Sequence, residues 1–233
     1  MGFFTAIGEL IVRYWPFFLD GVRATLIIAL FSVILGFVMG TVLTLMRMSK
    51  WKILKWPATA FVEFFRGTPL LVQLMFIFYG LPMVGVQFPD IAFIPDFSRF
   101  AAGIVAMSLN SAAYVSEIMR AGIQAVESGQ MEAARSIGLT HAQAMKIVVL
   151  PQAVRNILPA LGNEFVTVIK ESSIVSVIGI GDLMFRTNDV IAVTYQSLPA
   201  LAIALIIYFI LTFVFGRLVN FMERKLKYES KES

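Results

Sequence analysis

The chain has 233 residues, 58% of them hydrophobic, and a mean hydropathy of +0.82. A water-soluble domain, with about 45–50% apolar residues, has no interior large enough to hide that much apolar surface. There is no cysteine and one histidine, His141, which excludes disulfides, iron–sulfur clusters and thiolate zinc sites and leaves too few ligands for a metal site.

From the N-terminus, residues 3–18 interleave Phe3, Phe4, Tyr14, Trp15, Phe17 and Phe18 with Glu9 and Arg13, the composition of a segment at headgroup level. Residues 1–21 are therefore expected to form an interfacial lead-in. Ala6 stands where a myristoylation signal needs Ser or Thr, and no basic segment precedes an apolar run as in a signal peptide. Five apolar stretches follow, at 22–46, 57–81, 100–120, 157–180 and 199–221, each long enough to cross a hydrocarbon core of about 30 Å. Continuous apolar runs favour helices, because an open sheet leaves unpaired backbone groups in lipid and a barrel shows short alternating segments. The fold class expected is all-α, one transmembrane domain over 1–233, a polytopic bundle of about five helices.

In the first stretch Gly36 and Gly40 form a G-x-x-x-G pair, read as ordinary close packing within or between chains. The twelve methionines are read as core filling. In the second stretch Glu63 and Arg66, three residues apart, are expected to make a structural ion pair. Ionisable groups at membrane depth are costly and usually face a cavity or a partner. On the third stretch Asn110, Tyr114 and Glu117 share one helical face, and on the fourth Asn163, Thr167 and Lys170 do the same beside Glu164 and Glu171. These two polar faces are candidates to line one pathway, the competing reading being hydrogen bonds that only hold the bundle. Lys170 either neutralises Glu171 or binds a substrate carboxylate.

The connection 121–156 is too long to be a simple loop. Helix formers run from Gln130 to Ile137, Gly138 suits a left-handed helix end, Thr140 with Gln143 makes a capping box, and Pro151 is expected to break the second helix. The pattern by itself is equally compatible with a docking surface, where Ala133 and Ala134 admit a partner backbone, and with a surface hairpin that has no partner.

Charge placement orients the bundle. Arg47, Lys50, Lys52, Lys55, Arg135, Lys146, Arg155, Arg224, Lys225, Lys227 and Lys231 fall in one set of connections and the tail, against Arg99 and Arg186 in the other set. By the positive-inside rule the first set is cytoplasmic, with the N-terminus outside and the C-terminus inside. The charge of +4 then needs no nucleic acid.

Glu132-Ala133-Ala134, Gly138 and Val148-Val149-Leu150-Pro151 resemble the EAA loop of ABC importer permeases, with Val148 in place of isoleucine. Phe64-Phe65-Arg66-Gly67-Thr68-Pro69-Leu70 resembles the F-R-G-T-P signature of the polar amino-acid (histidine, glutamine and arginine) permeases. Lys170-Glu171-Ser172-Ser173-Ile174 resembles their K-D-T-S-L segment with three conservative changes. The resemblance covers nearly the whole chain. It implies a type I ABC importer permease fold in the bacterial inner membrane, and two permease chains, identical or related, that form the pathway. It also implies separate ATPase subunits that carry ATP and Mg, an extracytoplasmic substrate-binding protein, an amino-acid substrate, and no cofactor on this chain.

Under that resemblance the ATPase-coupling residues are Glu132, Ala133, Ala134, Gly138, Leu150 and Pro151. The substrate-binding candidates are Asn110, Glu117, Asn163, Glu164, Thr167, Lys170, Glu171 and Ser172, and their acidic excess points to a cationic amino acid. The sequence has no G-x-x-x-x-G-K-[ST] phosphate loop, so the chain is expected to be a transport subunit and not an enzyme. The alternative is a self-contained ion-coupled transporter or channel without an ATPase, but no inverted repeat of the kind such proteins show is visible. A membrane-embedded enzyme lacks a metal-ligand cluster or nucleophile–base pair.

Overall fold

The computed structural model describes residues 2–91 and 96–229, with side chains to Lys225. The basic residue Lys231 lies outside them. The first helix, α1, runs without a break over Phe3–Met48, 46 residues and about 69 Å at 1.5 Å per residue. The lead-in expected over 1–21 is thus continuous with the first span, Pro16 being tolerated inside the helix. It is also more than an interfacial segment, because Leu10 and Phe18 are buried against Leu183, Val190, Ala200 and Ile203.

The second stretch does not form one straight span. Helix α2, Lys52–Gly67, and the helical segment Leu70–Met83 meet at 110°. That segment is α3 over Leu70–Met75, a π-helical turn over Phe76–Gly80, and α4 over Leu81–Met83. Pro69 drives the residue before it out of the helical region, and Thr68 accordingly sits at φ −120°, ψ 149°. The apolar run over 57–81 hid this corner, which turns on two residues, Thr68 and Pro69.

Helix α5, Phe97–Gln124, packs along α1 and its lower apolarity reflects buried Ser108, Asn110, Ser111 and Ser116. The Gly36/Gly40 pair works within the chain. A Cβ on Gly36 would stand 2.9 Å from Ser111 Cβ and one on Gly40 2.7 Å from Val115 Cγ1, so only glycine lets α1 and α5 approach this closely.

Helix α6, Ser128–Ser136, ends at Gly138, whose φ of +93° is the left-handed conformation expected there. Thr140 and Gln143 form the capping box of α7, His141–Ala144. Pro151 does not end this second helix. A π-helical turn over Met145–Val149 absorbs the proline ring and its missing N–H, and the backbone continues through α8, Leu150–Glu171, and a 3₁₀ segment, Ser172–Ile178. The whole rod spans His141–Ile178, so the second helix of the 121–156 connection and the fourth span are one piece.

Between the fourth and fifth stretches stands α9, Leu183–Thr194, unforeseen in the sequence although Asp182 is a regular N-cap that accepts from the amides of Met184 and Phe185. It packs against the outer part of α1, and Gly21 lies so close that a Cβ there would meet Leu183 Cα at 2.7 Å. Helix α10, Ser197–Glu229, closes the bundle. Among the described residues three helical stretches, Phe3–Met48, His141–Ile178 and Ser197–Lys225, are long and apolar enough to cross a membrane, four if the bent pair is counted as one span.

Candidate functional site

The outward side of α8 carries the fourth-span stripe. Asn163, Lys170 and Glu171 are exposed and Thr167 is partly exposed. Thr167, Lys170 and Glu171 line a cleft of about 420 Å³ together with Ser173, Ile174 and Leu70. Leu70 opens α3 directly after the 110° corner, so the residue that follows the F-R-G-T-P segment meets the K-E-S-S-I segment at this cleft. It holds a cation, a carboxylate and two hydroxyls against two apolar walls, a donor and acceptor set suited to a zwitterion.

The other candidates are placed elsewhere. Glu164 turns toward α5 and accepts from Ser111 Oγ at 3.0 Å, behind the exposed stripe. Ser172 is buried and donates to its own helix at Ile169 O, 2.8 Å. Asn110 is buried and holds the corner: its Nδ2 donates to Gln73 Oε1 at 2.9 Å and to Phe65 O at 3.3 Å. Gln73 Nε2 in turn donates to Phe65 O at 2.8 Å, Thr68 O at 3.0 Å and Thr68 Oγ1 at 2.8 Å. Two carboxamides thereby satisfy the carbonyls that the turn takes out of helical pairing.

Glu117 sits in a charge cluster at the far end of α5. Arg47 Nη1 lies 2.9 Å and Arg66 Nη1 3.7 Å from its Oε2, and Arg120 pairs with Oε1. The ion pair foreseen between Glu63 and Arg66 is replaced by this one, because α2 packs against α5 with Arg66 facing Glu117 and the ring of Tyr114, 5.7 Å from its centroid. On this face Asn110 and Glu117 therefore pair with residues of α1, α2 and α3, while Tyr114 stays exposed beside Arg66. Leu70, Gln73 and Arg47 were missed, Leu70 for being apolar and the others because their partners lie 37 and 70 residues away.

At the coupling loop Glu132, Ala133, Gly138, Leu150 and Pro151 are exposed, together with Ile137 and Ile147. Ala134 faces inward at 5% exposure, so only Ala133 of the pair presents a small side chain outward. Gln152 Nε2 donates to Gln130 Oε1 at 3.3 Å, tying the two helices of the hairpin together.

Residues 11–228 match the family model described as binding-protein-dependent transport system inner membrane component. The chain belongs to this family. The arginine transport system permease protein ArtQ of Bacillus subtilis (strain 168) is 46% identical, with 91% of this chain and 93% of that one aligned. The putative glutamine transport system permease protein GlnP of Rickettsia conorii is 39% identical over 94% of this chain and 98% of its own length. Among solved structures, one described as an amino acid ABC transporter with histidines superposes with a TM-score of 0.87 at 45% identity, covering 97% of this chain and 99% of that one. An inward-facing MetNI methionine ABC transporter chain shares the fold alone, with a TM-score of 0.64 at 20% identity over 89% of this chain and 97% of that one. The resemblance to amino-acid ABC importer permeases read from the three motifs holds, and the type I permease fold with it.

Proposed function

We propose that this permease subunit carries polar, cationic amino acids into the cytoplasm by alternating access, driven by ATPase subunits that bind ATP and Mg and dock on the Gly138 hairpin. An extracytoplasmic binding protein delivers the substrate, and a second permease chain, identical or related, closes the pathway. The observation that carries the reading is the cleft where Thr167, Lys170 and Glu171 face Leu70, with Glu164 one helical step behind. In that geometry Lys170 suits the substrate α-carboxylate and Glu171 its α-ammonium or a cationic side chain. Asn163 extends the same stripe, and burying a cationic side chain without such a carboxylate would cost several kcal/mol. The relative named as an arginine permease supports a cationic substrate, while the one named for glutamine marks the competing specificity.

The orientation follows the basic connections: N-terminus outside, C-terminus in the cytoplasm, in the bacterial inner membrane. The testing experiment is uptake by the complex reconstituted with its ATPase and binding protein. Glu171→Gln should weaken uptake of arginine, lysine or protonated histidine more than uptake of glutamine. Equal loss for charged and neutral substrates would remove Glu171 from side-chain recognition, and uptake that proceeds without ATP would overturn the importer reading.

A further inference from the structure

Helix α2 follows the end of α1 at Met48 within four residues and is about 24 Å long, too short to cross the hydrocarbon core. It buries only Ala58 and Val62, against α1 and α5. Its opposite side mixes two residue types that seldom share an exposed surface. Trp51, Ile53 and Trp56 are 71%, 77% and 70% exposed, and Lys50, Lys52 and Lys55 stand between them.

Among the described residues the three lysines have no ion-pair or hydrogen-bond partner, whereas neighbouring Arg47 is held by Glu117. No acidic residue occurs in the sequence between Asp20 and Glu63, so the local charge is uncompensated. Lys52, Lys55, Trp56, Thr59 and Ala60 also shape a groove of about 440 Å³ along the helix surface. Its spacing of three and four residues puts two ammonium groups at one end and an indole face with small residues beyond them.

From this we infer that the N-terminal half of α2 is a binding site for an anionic phospholipid. The headgroup phosphate sits between the Lys52 and Lys55 ammonium groups, and the acyl chain lies along Trp56, Thr59 and Ala60. Lysine stems reach to the headgroup level while indole rings prefer the same depth, which accounts for exposed tryptophan and unpaired lysine on one surface. A docked protein would leave the alternation without that explanation. The site is separate from the cleft and from the coupling hairpin, and only the choice of leaflet depends on the orientation argued above.

The test uses the intact permease–ATPase complex in bilayer discs of phosphatidylcholine with or without phosphatidylglycerol. Retained lipid is measured by native mass spectrometry and stability by thermal unfolding. Wild-type complex should retain phosphatidylglycerol in preference to phosphatidylcholine and unfold at higher temperature in its presence. Each of Lys52→Gln and Lys55→Gln should lower that preference about fivefold, the effect of about 1 kcal/mol per basic residue at an anionic surface. Lys225→Gln, a basic residue on α10, should leave it unchanged. Unaltered retention in the double variant would overturn the site and leave the lysines with an orienting role only. Equal stabilisation by inorganic phosphate would replace the lipid with free anion. Loss of the ATPase subunit from the double variant, with lipid retention intact, would make the surface a protein dock instead.

Discussion

Replacing Asn110 with alanine removes the side chain that pins the corner between α2 and α3. The structure sets the size of the effect. Two donated hydrogen bonds are lost, but Phe65 O keeps its bond from Gln73 Nε2, so one acceptor, Gln73 Oε1, is left buried without a partner. Leaving a buried acceptor unsatisfied costs about 1–3 kcal/mol. Interhelical hydrogen bonds measured by double-mutant cycles in a membrane bundle average about 0.6 kcal/mol and reach about 1.7, so the coupling between Asn110 and Gln73 should fall in that range. The assay is unfolding of the purified complex for wild type, Asn110→Ala, Gln73→Ala and the double variant. The double variant should be more stable than the sum of the single losses predicts, because once one carboxamide is gone the other has less to lose. Strict additivity would refute the reasoning, as would a loss of uptake confined to cationic substrates, which would return Asn110 to the substrate site.

Three further outcomes are expected. Glu117→Gln leaves Arg47, Arg66 and Arg120 without their counter-charge; breaking a fully buried pair costs about 3–5 kcal/mol, and with Glu117 21% exposed a smaller loss is expected, read as a lowered unfolding temperature, whereas an unchanged one would make the cluster energetically idle. Gly40→Val drives a Cβ to 2.7 Å from Val115 Cγ1 and 2.9 Å from Ala112 O and should cost about 1–3 kcal/mol by overpacking; a stable, active variant would show that α1 and α5 can separate freely. Gly138→Leu meets no neighbour within 4 Å, so its effect comes from the positive φ alone, about 1–2 kcal/mol, and should appear as reduced recovery of the ATPase subunit with the membrane bundle still folded; full recovery would place coupling elsewhere.

What the sequence made legible were features with a local physical signature. The glycine corner at Gly138, the capping box at Thr140 and the close helix approach at Gly36 and Gly40 each depend on a few neighbouring residues and were found where expected. The corner at Pro69 had its signal too, an X-Pro step, but continuous apolarity outweighed it. Helical periodicity rightly grouped Asn163, Thr167 and Lys170, which share the outer side of α8, because a face needs only one helix to define it. It did not foresee that Asn110 and Glu117 have partners on neighbouring helices. Whether a polar face looks into a cleft or into another helix depends on partners such as Gln73 and Arg47, whose positions follow from the tertiary fold.

The uninterrupted rod from His141 to Ile178 has a mechanical consequence. From the capping box at Thr140 to the ammonium-bearing Lys170 the helix measures about 44 Å, so a tilt of about 10° about its Thr140 end swings the far end sideways by about 8 Å. That is wider than a water molecule and comparable to the width of an amino acid. A push on the Gly138 hairpin, the docking surface proposed above, would reach the cleft as a sweep of Thr167, Lys170 and Glu171 past Leu70, since only Leu139 and Thr140 separate the corner from the rod. The π turn at Met145–Val149, close to the point of application, is the one departure from regular α geometry between His141 and Glu171.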